Sequence, residues 1–416
     1  MLLYGAIFVS LIVIINPSFF SVFFGLVFIL LLWLGAREKN LLNPYNLFAS
    51  TPLTIIIYNK EISTYFLKPL NAEVGIVMFL GIGFFILGLL AVKRKKLVID
   101  NGVVNRHFWV IFIVGLTPHL LGTIIAGLPI FNQGNVALTR ESYSLPIISQ
   151  FSIFLPISII VAFQQKSTLK ILLSISVTLF FSFAILAKFS ILLALMFILF
   201  GLLKYGHQSR IASVIKLTII PVVLLIPMLF SFIFDARSEF EQSDYQWRQN
   251  ISTDVPILEQ YGDFIYLPYL YLTTPWSNLA HNVEINDSYD YGLRTVKPLI
   301  SLLQLDGFVE YEPKPIYQYP MNTYSFITDF YLDAGGVGVI ILSFILGLFV
   351  KKAYLFGTYE KDSLKDGLWV TVGFATFMMF FSNHFTSVGY PLVTLVLIMF
   401  YQFACRIFKN INANIR

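Results

Sequence analysis

Apolar residues dominate this chain in long continuous runs rather than alternating with polar ones. Many of the runs approach or exceed the roughly 20 residues that a helix needs to cross a bilayer. Strands of a membrane barrel would instead alternate with a period of two. The run at 217–234 is typical, because it contains no charged side chain. The pattern predicts an all-α polytopic membrane protein.

About twelve spanning helices are predicted. They cover residues 2–16, 18–35, 41–58, 73–92, 107–126, 146–164, 168–187, 189–204, 217–234, 326–350, 367–383 and 388–406. The third segment is the weakest, because Pro44 and Pro52 interrupt it. The first run has neither a basic start nor a small-residue cleavage site, so we expect it to be retained as a span.

Positive charges set the predicted orientation. Lys and Arg cluster in every second short connection, as at 93–96 and 351–352, which is the distribution of cytoplasmic connections. Both termini are therefore predicted to be cytoplasmic. The chain divides into nine spans over 1–234, one long extracytoplasmic loop at 235–325, and three spans with a tail over 326–416.

Composition agrees with a membrane protein and argues against a nucleic-acid partner. The chain is 57% hydrophobic and 12% charged, against roughly 25% charged in soluble domains. The long loop holds thirteen acidic residues and five basic ones, so the net charge of +5 belongs to the cytoplasmic connections. There it indicates topology and contact with anionic membrane lipids.

The long loop is also rich in aromatic residues. Eleven of the 22 tyrosines lie between residues 245 and 324, together with Trp247 and Trp276. Aromatic faces interleaved with Asp and Asn suit sugar rings, although a belt of interfacial aromatic residues explains them equally well. Asn278 and Tyr291 are the loop's candidate substrate-binding residues on this interpretation.

Four arginines face outward in the predicted topology. Arg140 precedes the sixth span, and Arg237, Arg248 and Arg294 lie in the long loop. A guanidinium group can hold a phosphate or diphosphate through two hydrogen bonds. Its alternative role is an ion pair with a neighbouring carboxylate. We expect Arg140 and Arg294 to be catalytic, and Arg237 and Arg248 to bind substrate.

Two carboxylates stand where the tenth span begins. Asp329 and Asp333 are four residues apart and share one helix face. They would repel each other if alone, so one is expected to meet a cation, a helix terminus or a substrate hydroxyl. Asp333 and His281 are the candidate general bases. Neither metal-ligand spacing nor a phosphate-binding glycine loop occurs, so no metal or cofactor is expected.

Three segments carry a family resemblance. They are GLPIFNQGNVALTR, which ends at Arg140; YLTTPWSNL followed by YGLR; and NTYSFITDFYLDAGGVG. Their order resembles the bacterial O-antigen (Wzy-type) repeat-unit polymerases. In the third segment, Asn322, Tyr324, Asp333 and Gly335 match the family's Asn-x-Tyr and Asp-x-Gly pattern.

This sequence departs from the family at two positions. Ala334 stands where an aromatic residue is usual, and Lys188 stands where relatives often carry an arginine.

The resemblance implies a glycosyltransferase at the outer leaflet of the bacterial inner membrane, and the lack of metal-ligand spacing predicts that it is metal-independent. Such an enzyme moves a glycan from undecaprenyl diphosphate to the non-reducing end of another lipid-linked repeat unit. Its partners would be undecaprenyl-diphosphate-linked oligosaccharides and membrane lipids, and a chain-length regulator protein is left open. Arginines would stabilise the departing diphosphate, and Asn322 and Tyr324 would contact substrate.

Other functions stay open at this point. An O-antigen ligase uses the same donor and topology, and His281 would supply its expected histidine. A lipid-linked oligosaccharide flippase would need polar groups midway through the bilayer, where the predicted spans are nearly free of charge. An accessory role in assembly is a further alternative.

Overall fold

The computed structural model describes residues 19–38, 40–59, 70–93, 107–132, 136–145, 148–206, 263–302, 323–359, 362–386 and 391–400, with residues 305 and 403. All regular structure in these stretches is helical. The predicted all-α class is therefore confirmed for the part of the chain described. The predicted spans at 2–16 and 217–234 lie outside it.

The helices of the first half precede residue 207. They are α1 (Phe19–Arg37), α2 (Pro44–Phe48), α3 (Ser50–Tyr58), α4 (Ala72–Ala91), α5 (Phe108–Ala126), α6 (Val136–Tyr143), α7 (Phe154–Gln164), α8 (Thr168–Ala184) and α9 (Lys188–Tyr205). Short 3-10 turns occupy Pro129–Phe131 and Ile148–Ile153.

The helices of the second half follow residue 262. They are α10 (Asp263–Ile285), α11 (Leu293–Leu302), α12 (Phe326–Tyr359), α13 (Ser363–Phe377) and α14 (Pro391–Phe400).

Five helical segments in the described stretches are long and apolar enough to cross a membrane: α1, α4, α5 with its following turn, α9 and α12. Three shorter apolar helices accompany them. Their apolar residues cover all sides of each helix, which is typical of helices surrounded by lipid and by other helices. The described stretches are thus those expected of a helical membrane protein, while the total of twelve spans stays a prediction.

The predicted interruption near Pro44 and Pro52 is confirmed. Two short helices, α2 and α3, meet at Ala49 instead of forming one span. Pro44 takes the first helical position behind Asn43, whose side chain accepts a hydrogen bond from the Asn46 N–H at 3.0 Å. Pro52 lies in the first turn of α3, where its missing N–H costs little.

Helices α4 and α12 approach each other closely at two glycines. A Cβ atom on Gly88 would lie 2.3 Å from the Phe344 carbonyl oxygen, and one on Gly347 would lie 2.2 Å from the Phe85 carbonyl oxygen. Small residues allow such close contact between membrane helices, where packing drives association. The contact fixes α12, which carries Asp329 and Asp333, against the helical body.

Part of the predicted long loop packs into the helical body. Helix α10 lies against α3, α4 and α12, and its Trp276 is fully buried with Nε1 donating to Thr54 Oγ1 at 3.0 Å. The apolar residues around Leu270 and Leu279 give this helix a buried face. Trp276, which the aromatic pattern had suggested as a sugar contact, is therefore a core residue.

Two partly buried ion pairs mark one end of the helical body. Lys351 Nζ lies 2.5 Å from Glu38 Oε1, and Lys204 pairs with Asp366. Lys351 is 22 residues beyond Asp329 on α12, or roughly 33 Å at ~1.5 Å per residue. Lys204 Nζ lies 3.5 Å from the carbonyl oxygen of Gly357, which is on the same helix beyond Lys351. Both cations were predicted to be cytoplasmic, and both lie at the end of α12 opposite Asp329.

Candidate functional site

Asp329 and Asp333 are buried one turn apart near the start of α12. Asp329 accepts a hydrogen bond from Arg294 Nη1 at 3.4 Å and another from the Thr386 hydroxyl. Asp333 accepts from the backbone N–H groups of Arg294 (3.0 Å) and Thr295 (2.9 Å) and from the Thr295 hydroxyl. The expectation that one carboxylate meets a cation or a helix terminus is confirmed. Asp329 meets the cation of Arg294, and Asp333 meets the N-terminus of α11.

Asp333 caps a helix that is remote from it in sequence. The N–H groups it accepts belong to the first turn of α11, where helix donors lack internal partners and a negative charge is favoured. Three hydrogen bonds fix the Asp333 carboxylate in place. Asp333 as a general base stays a prediction, and the geometry gives it a positioning role.

Arg294 lies between two carboxylates. Its Nε and Nη2 atoms are both 3.1 Å from Asp290 Oδ2, and Nη1 is 3.4 Å from Asp329 Oδ1. The side chain is only 6% exposed. Two acidic partners outweigh one guanidinium charge, so the contacts join α11 to α12 and offer little positive charge to a further anion. The role of Arg294 on a diphosphate stays a prediction.

The turn before α11 is bound to a kink in α12. The backbone leaves helical dihedral angles at Ala334, so carbonyls just before the kink are open to partners outside the helix. The carbonyls of Leu332 and Asp333 accept from the N–H groups of Asp290 (2.9 Å) and Tyr291 (2.8 Å). The ring of Tyr291 is 85% exposed, so it is accessible to a substrate.

We expect Gly335→Ala to lower the free energy of unfolding by ~1–3 kcal/mol, the cost of a backbone region that only glycine adopts readily. Gly335 has φ 60° and ψ −151°, and an added Cβ would lie 2.9 Å from the Tyr289 hydroxyl oxygen. Thermal unfolding in detergent measures the loss. Gly336→Ala is the matched control, because its Cβ would meet no atom within 4 Å. An equal loss of stability in the two variants would contradict the claim that the backbone conformation at Gly335 requires glycine.

Helix α10 brings further predicted residues to this end of the molecule. Asn278 is fully buried, and its Nδ2 donates to the Thr323 carbonyl at 2.6 Å. Thr323 precedes Tyr324, which is half-buried. His281 lies half-buried on α10, one turn beyond Asn278. Candidate site residues from separate segments of the sequence therefore lie at this end of the molecule. Asn278 holds the backbone of Thr323 and does not face a ligand.

Arg140 lies on a separate, well-anchored helix. Helix α6 is held by a hydrogen bond from Asn132 Nδ2 to Thr139 Oγ1 (2.6 Å) and by one from the Tyr143 hydroxyl to the His119 carbonyl (2.9 Å). Arg140 is half-buried, and its Nε has no hydrogen-bond partner in the described stretches. Burial lowers the pKa of its guanidinium group. A guanidinium in such surroundings is stabilised by an anion.

The two arginines predicted to act together pack on different helices. Helix α6 packs mainly on α5, whereas α11 packs mainly on α12. The convergence of Arg140 and Arg294 therefore stays a prediction. Arg237, Arg248 and Asn322 lie outside the described residues.

Three partners in the cluster were missed by sequence reasoning: Asp290, Thr295 and Thr386. Asp290 precedes Arg294 by four residues, in the turn that leads into α11, so the two are close enough along the chain to form an ion pair. Thr295 and Thr386 carry no such signal, because their contacts depend on segments that meet only in the fold. Within the stretches that the structure describes, no group of three His, Cys, Asp or Glu side chains is placed to hold a metal ion.

These features define a class: a helical membrane protein with a buried cluster of charged residues at one end of its helical body. Comparison of the chain with protein-family models, curated proteins and solved structures finds no match.

Proposed function

We propose that the protein is a membrane glycosyltransferase that polymerises oligosaccharide repeat units of the O-antigen or capsule type. It would act at the outer face of the bacterial inner membrane on undecaprenyl-diphosphate-linked substrates. One observation carries the proposal: Arg294, from the YGLR segment, contacts both Asp329 and Asp333, from the TDFYLDAGG segment. Two of the segments that carry the family resemblance thus form one cluster.

In this proposal the arginines have different tasks. Departure of the diphosphate develops negative charge, which a fixed cation stabilises without a metal ion. Arg140 makes no ion pair with a described carboxylate, so its charge is open to a phosphate oxygen. Arg294 is paired with Asp290 and Asp329 and acts by holding the site together. Arg237 and Arg248 remain predicted substrate contacts.

The acceptor needs a group that takes its proton. The acceptor hydroxyl attacks the sugar carbon that bears the diphosphate, a glycosidic bond forms, and the bond to the diphosphate breaks. Of the two candidate bases, Asp333 is occupied by three hydrogen bonds, so His281 fits the proton acceptor better. The exposed ring of Tyr291 supplies a face for a sugar.

An O-antigen ligase is the nearest alternative, since it uses the same donor but attaches the polymer to the lipid A core. His281, on α10 one turn beyond Asn278, suits either enzyme. A flippase would instead need charged groups midway through the helical body. The ion pairs between described residues lie at its two ends, which favours an enzyme.

The surface glycan of a deletion strain separates these functions. A polymerase predicts glycan of a single repeat unit, with the ladder restored by the wild-type gene. Unlinked polymer on its lipid carrier would indicate a ligase, and loss of all surface glycan would indicate a flippase. Either of these results would overturn the proposal.

A further inference from the structure

A cavity of about 620 Å³ lies between α9, α10, α13 and the segment around α2. Its volume falls within the roughly 300–1,000 Å³ of small-molecule sites. The lining is almost entirely apolar and follows α9 from Lys188 through Leu192 and Leu195 to Leu199. The eleven residue steps from Lys188 to Leu199 extend roughly 16 Å at ~1.5 Å per residue. The cavity is therefore long and apolar, like a hydrocarbon chain.

One end of this cavity is polar. Lys188, Tyr271, Ser382 and His384 line the cavity. Lys188 Nζ donates to the Tyr271 hydroxyl at 3.0 Å, and the ring of Phe189, the next residue after Lys188, has its centroid 4.3 Å from that of His384. His384 is 5% exposed, and neither ring nitrogen has a hydrogen-bond partner within the described stretches. Buried polar groups are normally hydrogen-bonded. An unsatisfied imidazole beside a lysine therefore indicates a place for an anionic, hydrogen-bonding ligand group.

The polar end adjoins both parts of the candidate site. His384 is two residues before Thr386, whose hydroxyl donates to Asp329. On the other side, Leu186 and Ile191 flank Lys188 and pack against Ile130, in the turn that leads to the helix of Arg140. A ligand group held by Lys188 and His384 would lie between the Asp329 cluster and the helix that carries Arg140.

The apolar flank of the cavity reaches the surface of the described part of the chain. Leu41 and Phe377 both line the cavity and are 43% and 36% exposed. Phe377 is the last residue of α13, eleven residues beyond Asp366 at that helix's start, so it lies away from the end marked by the Lys204–Asp366 pair and on the side of the helical body that lipid would surround. A hydrocarbon chain can therefore enter from the bilayer without crossing water.

We propose that this cavity binds the hydrocarbon chain of an isoprenoid lipid phosphate, with the phosphate held by Lys188 and His384. Lys188 also begins α9, so the helix N-terminus adds to the attraction for an anion. Arg294 cannot supply the positive charge for the phosphate, because Asp290 and Asp329 already compensate its own charge. A single elongated cavity suits a lipid with one chain better than a two-chain phospholipid. This assignment rests on the proposed function and locates the lipid of its donor.

Lipid binding to the purified full-length protein tests the assignment. Native mass spectrometry would titrate undecaprenyl phosphate and, separately, phosphatidylglycerol. We expect preferential binding of the isoprenoid phosphate. Lys188→Gln should weaken it about tenfold or more, the effect of losing a hydrogen bond to a charged group. Leu195→Trp should weaken it similarly by filling the cavity, and Lys188→Arg should retain it.

Two variants away from the cavity are matched controls. Lys166→Gln removes an exposed lysine, and Leu169→Trp enlarges a leucine that is 71% exposed, so both should bind like the wild type. Equal binding of phosphatidylglycerol would overturn the assignment. Unchanged binding in both Lys188→Gln and Leu195→Trp would also do so, and Lys188→Gln keeps the test valid if Leu195→Trp misfolds.

Failure of the cavity assignment is distinguishable from failure of the proposed function. Single-unit glycan in the deletion strain, together with normal lipid binding by the cavity variants, would overturn the cavity assignment alone. A ligase or flippase phenotype would overturn the proposed function whatever the lipid titration shows.

Discussion

Arg140→Ala is expected to abolish long glycan and leave surface glycan of a single repeat unit. Arg140 has no carboxylate partner in the described stretches, and its helix is fixed by hydrogen bonds on both sides of it. Its removal should therefore take away charge that stabilises the departing diphosphate without disturbing a buried ion pair. Gel analysis of glycan from a deletion strain that carries the variant measures the effect.

The neighbouring Glu141→Gln is the matched control for this experiment. Glu141 is exposed on the same helix, so its variant should produce the wild-type ladder. Arg140→Lys should show a partial defect, because an ammonium group keeps the charge but lacks the planar pair of donors. Long chains from Arg140→Ala at normal protein levels would refute the role of this arginine.

Arg294→Ala is expected to be the most destabilising of these substitutions. It removes the cation between Asp290 and Asp329 and leaves buried charge uncompensated. Breaking a buried ion pair in this way costs ~3–5 kcal/mol of the free energy of unfolding. Polymer should also be lost, because α11 would no longer be held on α12. Thermal unfolding of the purified variant in detergent measures the change in stability.

A second substitution separates charge from shape at this position. Adding Asp329→Asn to Arg294→Ala removes one uncompensated charge and should recover part of the stability, but no polymer. Lys297→Ala, three residues further along α11, controls for the loss of a cation from the same helix and should have a smaller effect. If Arg294→Ala unfolds at the wild-type temperature, the buried pairs do not stabilise the fold.

The membrane helices were predictable because their signal is local. The predicted span 73–92 corresponds to Ala72–Ala91, and the span 189–204 corresponds to Lys188–Tyr205. Continuous apolar residues are sufficient for such a prediction. The break near Pro52 was predictable for the same reason, since proline restricts the backbone at its own position.

The packing of α10 was not predictable from local pattern. Trp276 donates to Thr54 across a separation of 222 residues. The Tyr and Trp content of this segment suggested a surface for sugars, because composition does not say which aromatic rings are buried. Only the assembled helical body distinguishes Trp276, in the core, from Tyr291, in solvent.

The charged cluster was predictable in part. The spacing of Asp329 and Asp333 correctly required a compensating partner, because two carboxylates one turn apart repel. The partners themselves could be identified only from the fold, because Arg294 of α11 and Asp333 are 39 residues apart in the sequence. Arg294 was expected to hold a diphosphate. The carboxylate four residues before it, Asp290, is the sequence signal for the ion pair that it makes.

Reconstitution tests the central claim most directly. Purified protein in lipid vesicles would receive a defined undecaprenyl-diphosphate-linked repeat unit and no metal ion, and the products would be separated by glycan length. The account predicts a ladder of lipid-linked oligomers with the wild type and the unreacted single unit with Arg140→Ala. A wild-type protein that yields no oligomer, or an Arg140→Ala variant that yields the same ladder, would contradict it.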